Sequence, residues 1–151
     1  METIHACIPF LMEAKRNAYA SGEGVAIDTG QPGTKAISYS KGDYEYTDRY
    51  TGEIHFIGEE VVWEKERPIW GMNYYGYTYD PVEGFPEFLL ECLRQVPADA
   101  PYRGPEHYAN DRFAYRCTWE GQPDHFSGEE VILHQERVIF KLKFHGGEIK
   151  V

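Results

Sequence analysis

Cysteine is scarce in this chain of 151 residues: Cys7, Cys92 and Cys117 are the only three. They are widely spaced and form no C-x-x-C pair, which argues against a zinc site and against a disulfide framework. Basic residues are also few, with 15 Lys and Arg against 25 Asp and Glu and a formal net charge of -10. Such a chain lacks the basic face that releases counterions from nucleic acid or meets anionic lipid, so neither is an expected partner of this chain alone. No apolar run approaches the roughly 18 residues that a membrane span needs. The opening "METIHACIPF" has neither the basic n-region nor the apolar h-region of an export signal. Together these absences predict a reduced, cytoplasmic setting.

What is present is an ordinary globular composition, 42% hydrophobic and 26% charged, in a length that predicts one domain over residues 1–151. Within it, a hexapeptide is nearly written twice, "HFIGEE" from His55 and "HFSGEE" from His125. Aligning Ile54–Trp70 with Asp124–Phe140 gives nine identities in seventeen positions. The likeness extends outward: Tyr44, Tyr46 and Tyr50 answer Phe113, Tyr115 and Trp119, and "FLMEAKRN" (Phe10–Asn17) resembles "FLLECLRQ" (Phe88–Gln95). This pattern predicts a tandem duplication with half-repeats at about residues 8–80 and 85–147.

Periodicity assigns each half one helix and an antiparallel meander. Ile8–Ala20 and Phe85–Val96 carry apolar stripes at helical spacing, the second stopped by Pro97. Tyr44/Tyr46 and Phe113/Tyr115/Cys117/Trp119 alternate with polar neighbours, as strands covered on one face do. Helices on the other face of such a sheet would complete a two-layer helix-on-sheet α+β domain. The Gly-rich stretch Ser21–Thr34 predicts a loop with at most one short strand.

The glycine of each hexapeptide suggests a bend or bulge. If Glu64–Arg67 closes a four-residue loop, Trp63 pairs with Pro68 and Val61 with Trp70. Glu60 then stands opposite Gly71, on one face with Asn73 and Tyr75, and Glu130 stands opposite Lys141. On this register Glu130 has a cation across the strand and Glu60 has none, which singles out Glu60 as a candidate recognition carboxylate. The plain alternative is a solvated side chain on an open strand.

Tyrosines supply the other candidates. "PIWGMNYYGYTYD" (Pro68–Asp80) holds more rings than one core face needs. Alternation turns Trp70, Met72 and Tyr74 inward, leaving Tyr75, Tyr77 and Tyr79 for a surface or pocket. "PYRGP" clamps Arg103 between prolines, a good geometry for a carboxylate or anion, or for a salt bridge that ties the segment down. His55, Glu59 and Glu60 with His125, Glu129 and Glu130 could be metal ligands by type, but their spacing across a glycine is no chelating pattern, so no metal and no cofactor is expected. "GQPGTK" lacks phosphate-loop order, no G-x-S-x-G occurs, and Cys117 falls on the predicted buried face as an inert thiol.

"AKRNAYA" (Ala14–Ala20), "MNYYG" (Met72–Gly76), "PYRGP" (Pro101–Pro105), "FSGEE" and "FHGG" (Phe144–Gly147) together resemble an uncharacterised bacterial domain family found alone or behind an XRE-type helix-turn-helix. The likeness runs from about residue 8 to the end and departs from the family at Ala18, where Thr is expected. It implies an effector-sensing or partner-binding module and supplies no catalytic residues.

The residues therefore predict a non-enzymatic binding domain whose pocket for a small polar ligand is built from Glu60, Asn73, Tyr75, Tyr102, Arg103 and His145. The competing expectations are an enzyme working on a small polar metabolite through Glu60 and His145, and a protein-interaction module, with a homodimer among the possible assemblies.

Overall fold

Alternation of aromatic with polar residues, repeated along strands of eight to twelve residues, builds one continuous sheet. The computed structural model describes residues 2–18 and 25–151. Its elements run α1 (Glu2–Arg16), β1 (Val25–Ile27), β2 (Thr34–Lys41), β3 (Tyr44–Gly52), β4 (His55–Glu64), β5 (Arg67–Thr78), α2 (Phe85–Leu93), β6 (His107–Ala109), β7 (Phe113–Gln122), β8 (His125–His134) and β9 (Arg137–Glu148). Two helices and a nine-stranded sheet, antiparallel throughout, make this an α+β fold. The spatial order β1-β2-β3-β4-β5-β9-β8-β7-β6 joins two meanders along the central β5–β9 pair.

Helix α1 begins at Glu2 and runs through Pro9, where sequence periodicity places its start at Ile8. Residues 19 and 20 of that predicted helix, and 21–24 of the loop after it, lie outside the described residues. Helix α2 ends at Leu93, three residues short of the expected end.

One side of the sheet forms the core together with side chains of both helices. Phe10 of α1 packs on Tyr39 and Tyr44, and Phe85 and Phe88 of α2 pack on Phe140 and Phe113. Tyr46, Val62, Trp70, Met72, Tyr115, Ile132, Phe140 and Leu142 are fully enclosed among them. Trp70, Met72 and Tyr74 turn inward, and Tyr75, Tyr77 and Tyr79 stay exposed, as alternation predicts.

The hexapeptide glycines are not bends. Gly58 lies in a regular part of β4 opposite Tyr74, and a Cβ there would sit 2.4 Å from the tyrosine ring. Gly128 stands in the same relation to Phe144, at 2.3 Å. Each glycine thus leaves the space into which an aromatic ring of the next strand lies down. The irregularities fall elsewhere, between Val62 and Trp63 and between Ile132 and Leu133.

Those bulges decide the faces. Trp63 does pair with Pro68, but Val62 pairs with Trp70, so Ile69 is the extra residue. Glu60 therefore stands opposite Met72 rather than Gly71, and Glu130 opposite Leu142 rather than Lys141. A one-residue slip exchanges the two faces of a strand. Both carboxylates consequently point into the core, opposite to the sequence expectation.

Candidate functional site

Glu60 is 0% exposed, and its Oε1 lies 2.7 Å from Lys15 Nζ, which reaches it from the last turn of α1. Tyr46, on the neighbouring strand β3, donates its hydroxyl to the same oxygen at 2.8 Å. Lys15 also donates to the Tyr102 carbonyl at 2.6 Å and lies over the Trp70 ring. Glu60 thus has a cation, which the sequence register denied it.

Glu130 is held in a parallel way. Arg103 donates Nη2 and Nε to its Oε1 at 2.6 and 3.2 Å, and Tyr115 on β7 donates to Oε2 at 2.5 Å. The same tyrosine oxygen accepts the Gly104 amide, which ties the "YRG" segment to the sheet. Arg103 also covers the Tyr74 ring, while Tyr74 donates to buried Asp48 at 2.6 Å. Asp48, Glu60 and Glu130 with Lys15 and Arg103 therefore form a charged cluster inside an aromatic core. Charges sealed from water survive only with such partners, and every buried polar side-chain atom among the described residues has one.

The surroundings set the titration of its members. Burial pulls the Lys15 ammonium below its ordinary range, with Glu60 acting in the opposite sense. Burial, reinforced by nearby carboxylates, raises Tyr74 and Tyr115 well above the usual phenol value. Burial also lifts Cys7 to about 11 and Cys117 to about 12, which leaves both as protonated core thiols at neutral pH.

The other side of the sheet is open and carries a shallow groove of about 580 Å³. Arg49, Thr51, Ile57, Glu59, Asn73, Tyr75, Lys143 and His145 line it. Asn73 stands directly across from His145, and Tyr75 from Lys143, on the central strands. Ile57 and Tyr75, paired across β4 and β5, are 60% and 48% exposed, an unusual surface position for large apolar groups.

The six predicted pocket residues therefore divide. Asn73, Tyr75 and His145 come together in the groove, whereas Glu60, Tyr102 and Arg103 are buried on the core side. Tyr102 is a packing residue, stacked 3.9 Å from Phe126. Glu60 and His145 lie on opposite faces of the sheet, so they cannot act together as an acid–base pair. The hexapeptide residues divide likewise, with His55 and Glu59 on the open face and Glu60 beneath. Lys15, Tyr46 and Asp48 were missed because nothing local in the sequence marks a helix lysine as the partner of a strand carboxylate.

A family model described as Domain of unknown function (DUF5680) matches residues 48–149. The chain belongs to the DUF5680 family. The matched span begins at Asp48 and includes Glu60, Arg103, Tyr115 and Glu130 as well as Asn73, Tyr75, Lys143 and His145. Lys15 and Tyr46, which both contact Glu60, precede the DUF5680 match. No curated protein and no solved structure matches the chain. Among the described residues no helix is long and apolar enough to cross a membrane.

Proposed function

We propose that this DUF5680 chain is a non-enzymatic binding domain that takes a small polar ligand in the open-face groove, as an effector-sensing module would. The observation that carries the reading is the convergence of Asn73, Tyr75 and His145 with Arg49, Glu59 and Lys143 around exposed Ile57. An amide, a phenol, an imidazole and charges of both signs on rigid strands offer a polar ligand fixed hydrogen-bond partners beside an apolar floor. The buried carboxylates have a different task in this reading: they lock the helix and the "YRG" segment onto the sheet. The equivalent placing of Tyr46–Glu60 and Tyr115–Glu130 supports descent of the two meanders from one duplicated unit.

A second reading, a protein-interaction module, draws support from the exposed run Ile57, Tyr75, Tyr77 and Tyr79. Titration of an isotope-labelled chain with pooled small polar metabolites tests the first. Shifts at the Asn73, Tyr75, Lys143 and His145 amides, lost in Asn73→Ala and His145→Ala, are expected. Silence of those amides towards all pools, with a mass that rises with concentration, contradicts it.

A further inference from the structure

The open face carries an ordered ladder along the two central strands. Three cross-strand pairs follow one another, Asn73–His145, Tyr75–Lys143 and Tyr77–Lys141. Every β5 member is an amide or a phenol, and every β9 member is a base. Opposite residues stand about 5 Å apart at Cβ, and successive pairs on one face about 7 Å apart. In a chain of net charge -10, a column of Lys141, Lys143 and His145 without an acidic residue on that face of its strand runs against the average.

The Tyr77 ring is held in place. The His55 imidazole stacks on Tyr77 with centroids 3.8 Å apart and planes 14° apart. His55 Nδ1 accepts the Thr78 backbone N–H at 3.2 Å, which fixes the imidazole and through it the Tyr77 ring. Tyr79 continues the array with its centroid 4.9 Å from that of Tyr77. Tyrosines ordered in advance lose little entropy when a flat group settles on them.

Carboxylates flank the column on both sides. Glu59 stands between Arg49 and Asn73 in register, and Glu129 stands across from Lys143. The positive excess is therefore small, which suits a ligand with one or two negative charges and opposes a long polyanion.

From this geometry we infer that the open face takes a planar aromatic anion, its ring lying against Tyr75 in the groove and Tyr77 beside it, and its phosphate or carboxylate held by Lys143 and His145 of the groove and by Lys141, the cross-strand neighbour of Tyr77. The inference rests on the open-face reading above and names the ligand class for that site.

The test uses the full chain, labelled with nitrogen-15 and titrated with adenosine monophosphate, 2-naphthoate, adenosine, inorganic phosphate and a deoxythymidine oligomer. At least one of the two aromatic anions should shift the Tyr75, Tyr77, Lys143 and His145 amides, binding about tenfold tighter than adenosine or phosphate alone, as one charge-assisted contact provides. Lys141→Ala with Lys143→Ala should remove that advantage, while Tyr77→Ala should weaken the aromatic anions and adenosine alike.

Three results overturn the inference: anions binding no better than adenosine, both anions failing to move these amides, or the oligomer binding about a hundredfold tighter than either anion. If neutral polar metabolites still shift the groove amides, the ligand class alone falls. If no compound of any charge moves them, the open-face reading falls with it.

Discussion

Lys15 of helix α1 and Glu60 of strand β4 form an ion pair of 2.7 Å with both side chains sealed from solvent. Removing one partner strands a charge in the core, which costs about 3–5 kcal/mol, whereas removing both relieves most of that. Lys15→Met should therefore lower unfolding free energy by about 3–5 kcal/mol, and Lys15→Met with Glu60→Gln by distinctly less. Urea unfolding of the two variants beside the parent measures this. A loss in the double variant as large as that of Lys15→Met, or larger, would contradict this.

The glycines at 58 and 128 make a steric prediction. The atoms nearest an added Cβ at Gly58 all belong to the Tyr74 side chain, whereas Gly128→Ala meets the Thr118 carbonyl at 2.5 Å as well as the Phe144 ring. Overpacking of this sort costs about 1–3 kcal/mol. Gly128→Ala should be the more damaging of the two, since backbone yields less easily than a ring. Melting temperatures of the two variants rank them.

How far the fold was legible in the sequence follows from these same strands. Alternation identifies β3, β5 and β7 and the inward set Trp70, Met72 and Tyr74 because those side chains sit on a regular pleat. The register around Glu60 was misread because it depends on a single bulge, and a bulge has no period. A signal was present: "IW" at 69–70 and "IF" at 139–140 break the alternation with two adjacent apolar residues, and all four are buried. The contact of Lys15 with Glu60 was not legible, because it depends on where a helix docks across 45 residues of chain. Asn73 and Tyr75 share a face because β5 keeps its alternation beyond the bulge, and the β5–β9 pairing sets His145 opposite Asn73.

The hairpin turns are strained by their residues. Lys65 and Glu66 both have positive φ, at 49° and 66°, and Gln135 and Glu136 repeat this at 51° and 63°. Such two-residue turns favour Asn-Gly, because a side chain pays about 1 kcal/mol in the left-handed region. Lys65→Asn with Glu66→Gly should stabilise the chain by about 1 kcal/mol, read as a higher urea midpoint with an unchanged slope.

Alkali should unfold the protein early. Tyr74, Tyr102 and Tyr115 have phenols raised by burial, Tyr102 to about 12, and the thiols of Cys7 and Cys117 are raised to about 11 and 12. A raised acid holds its proton in the folded state after the unfolded chain has released it, so stability is full below the ordinary values of 9.0 for thiol and 10.0 for phenol and falls above them. Lys15, shifted downward, works the other way between its folded value and 10.5, against a larger number of acids. Urea midpoints should decline steadily from about pH 9 upward. A flat profile to pH 11 would mean that these groups titrate as in the unfolded chain.

In the proposed function the buried carboxylates serve structure and the open face serves binding, and one comparison separates the two most directly. In it, Lys143→Ala and Lys15→Met chains are each unfolded in urea and titrated with the metabolite or anion found to shift the groove amides. The account predicts that Lys143→Ala keeps parental stability within about 0.5 kcal/mol and loses binding, while folded Lys15→Met is destabilised and still binds. Binding lost in Lys15→Met with the fold intact, and kept in Lys143→Ala, would move the site to the buried cluster and contradict the account.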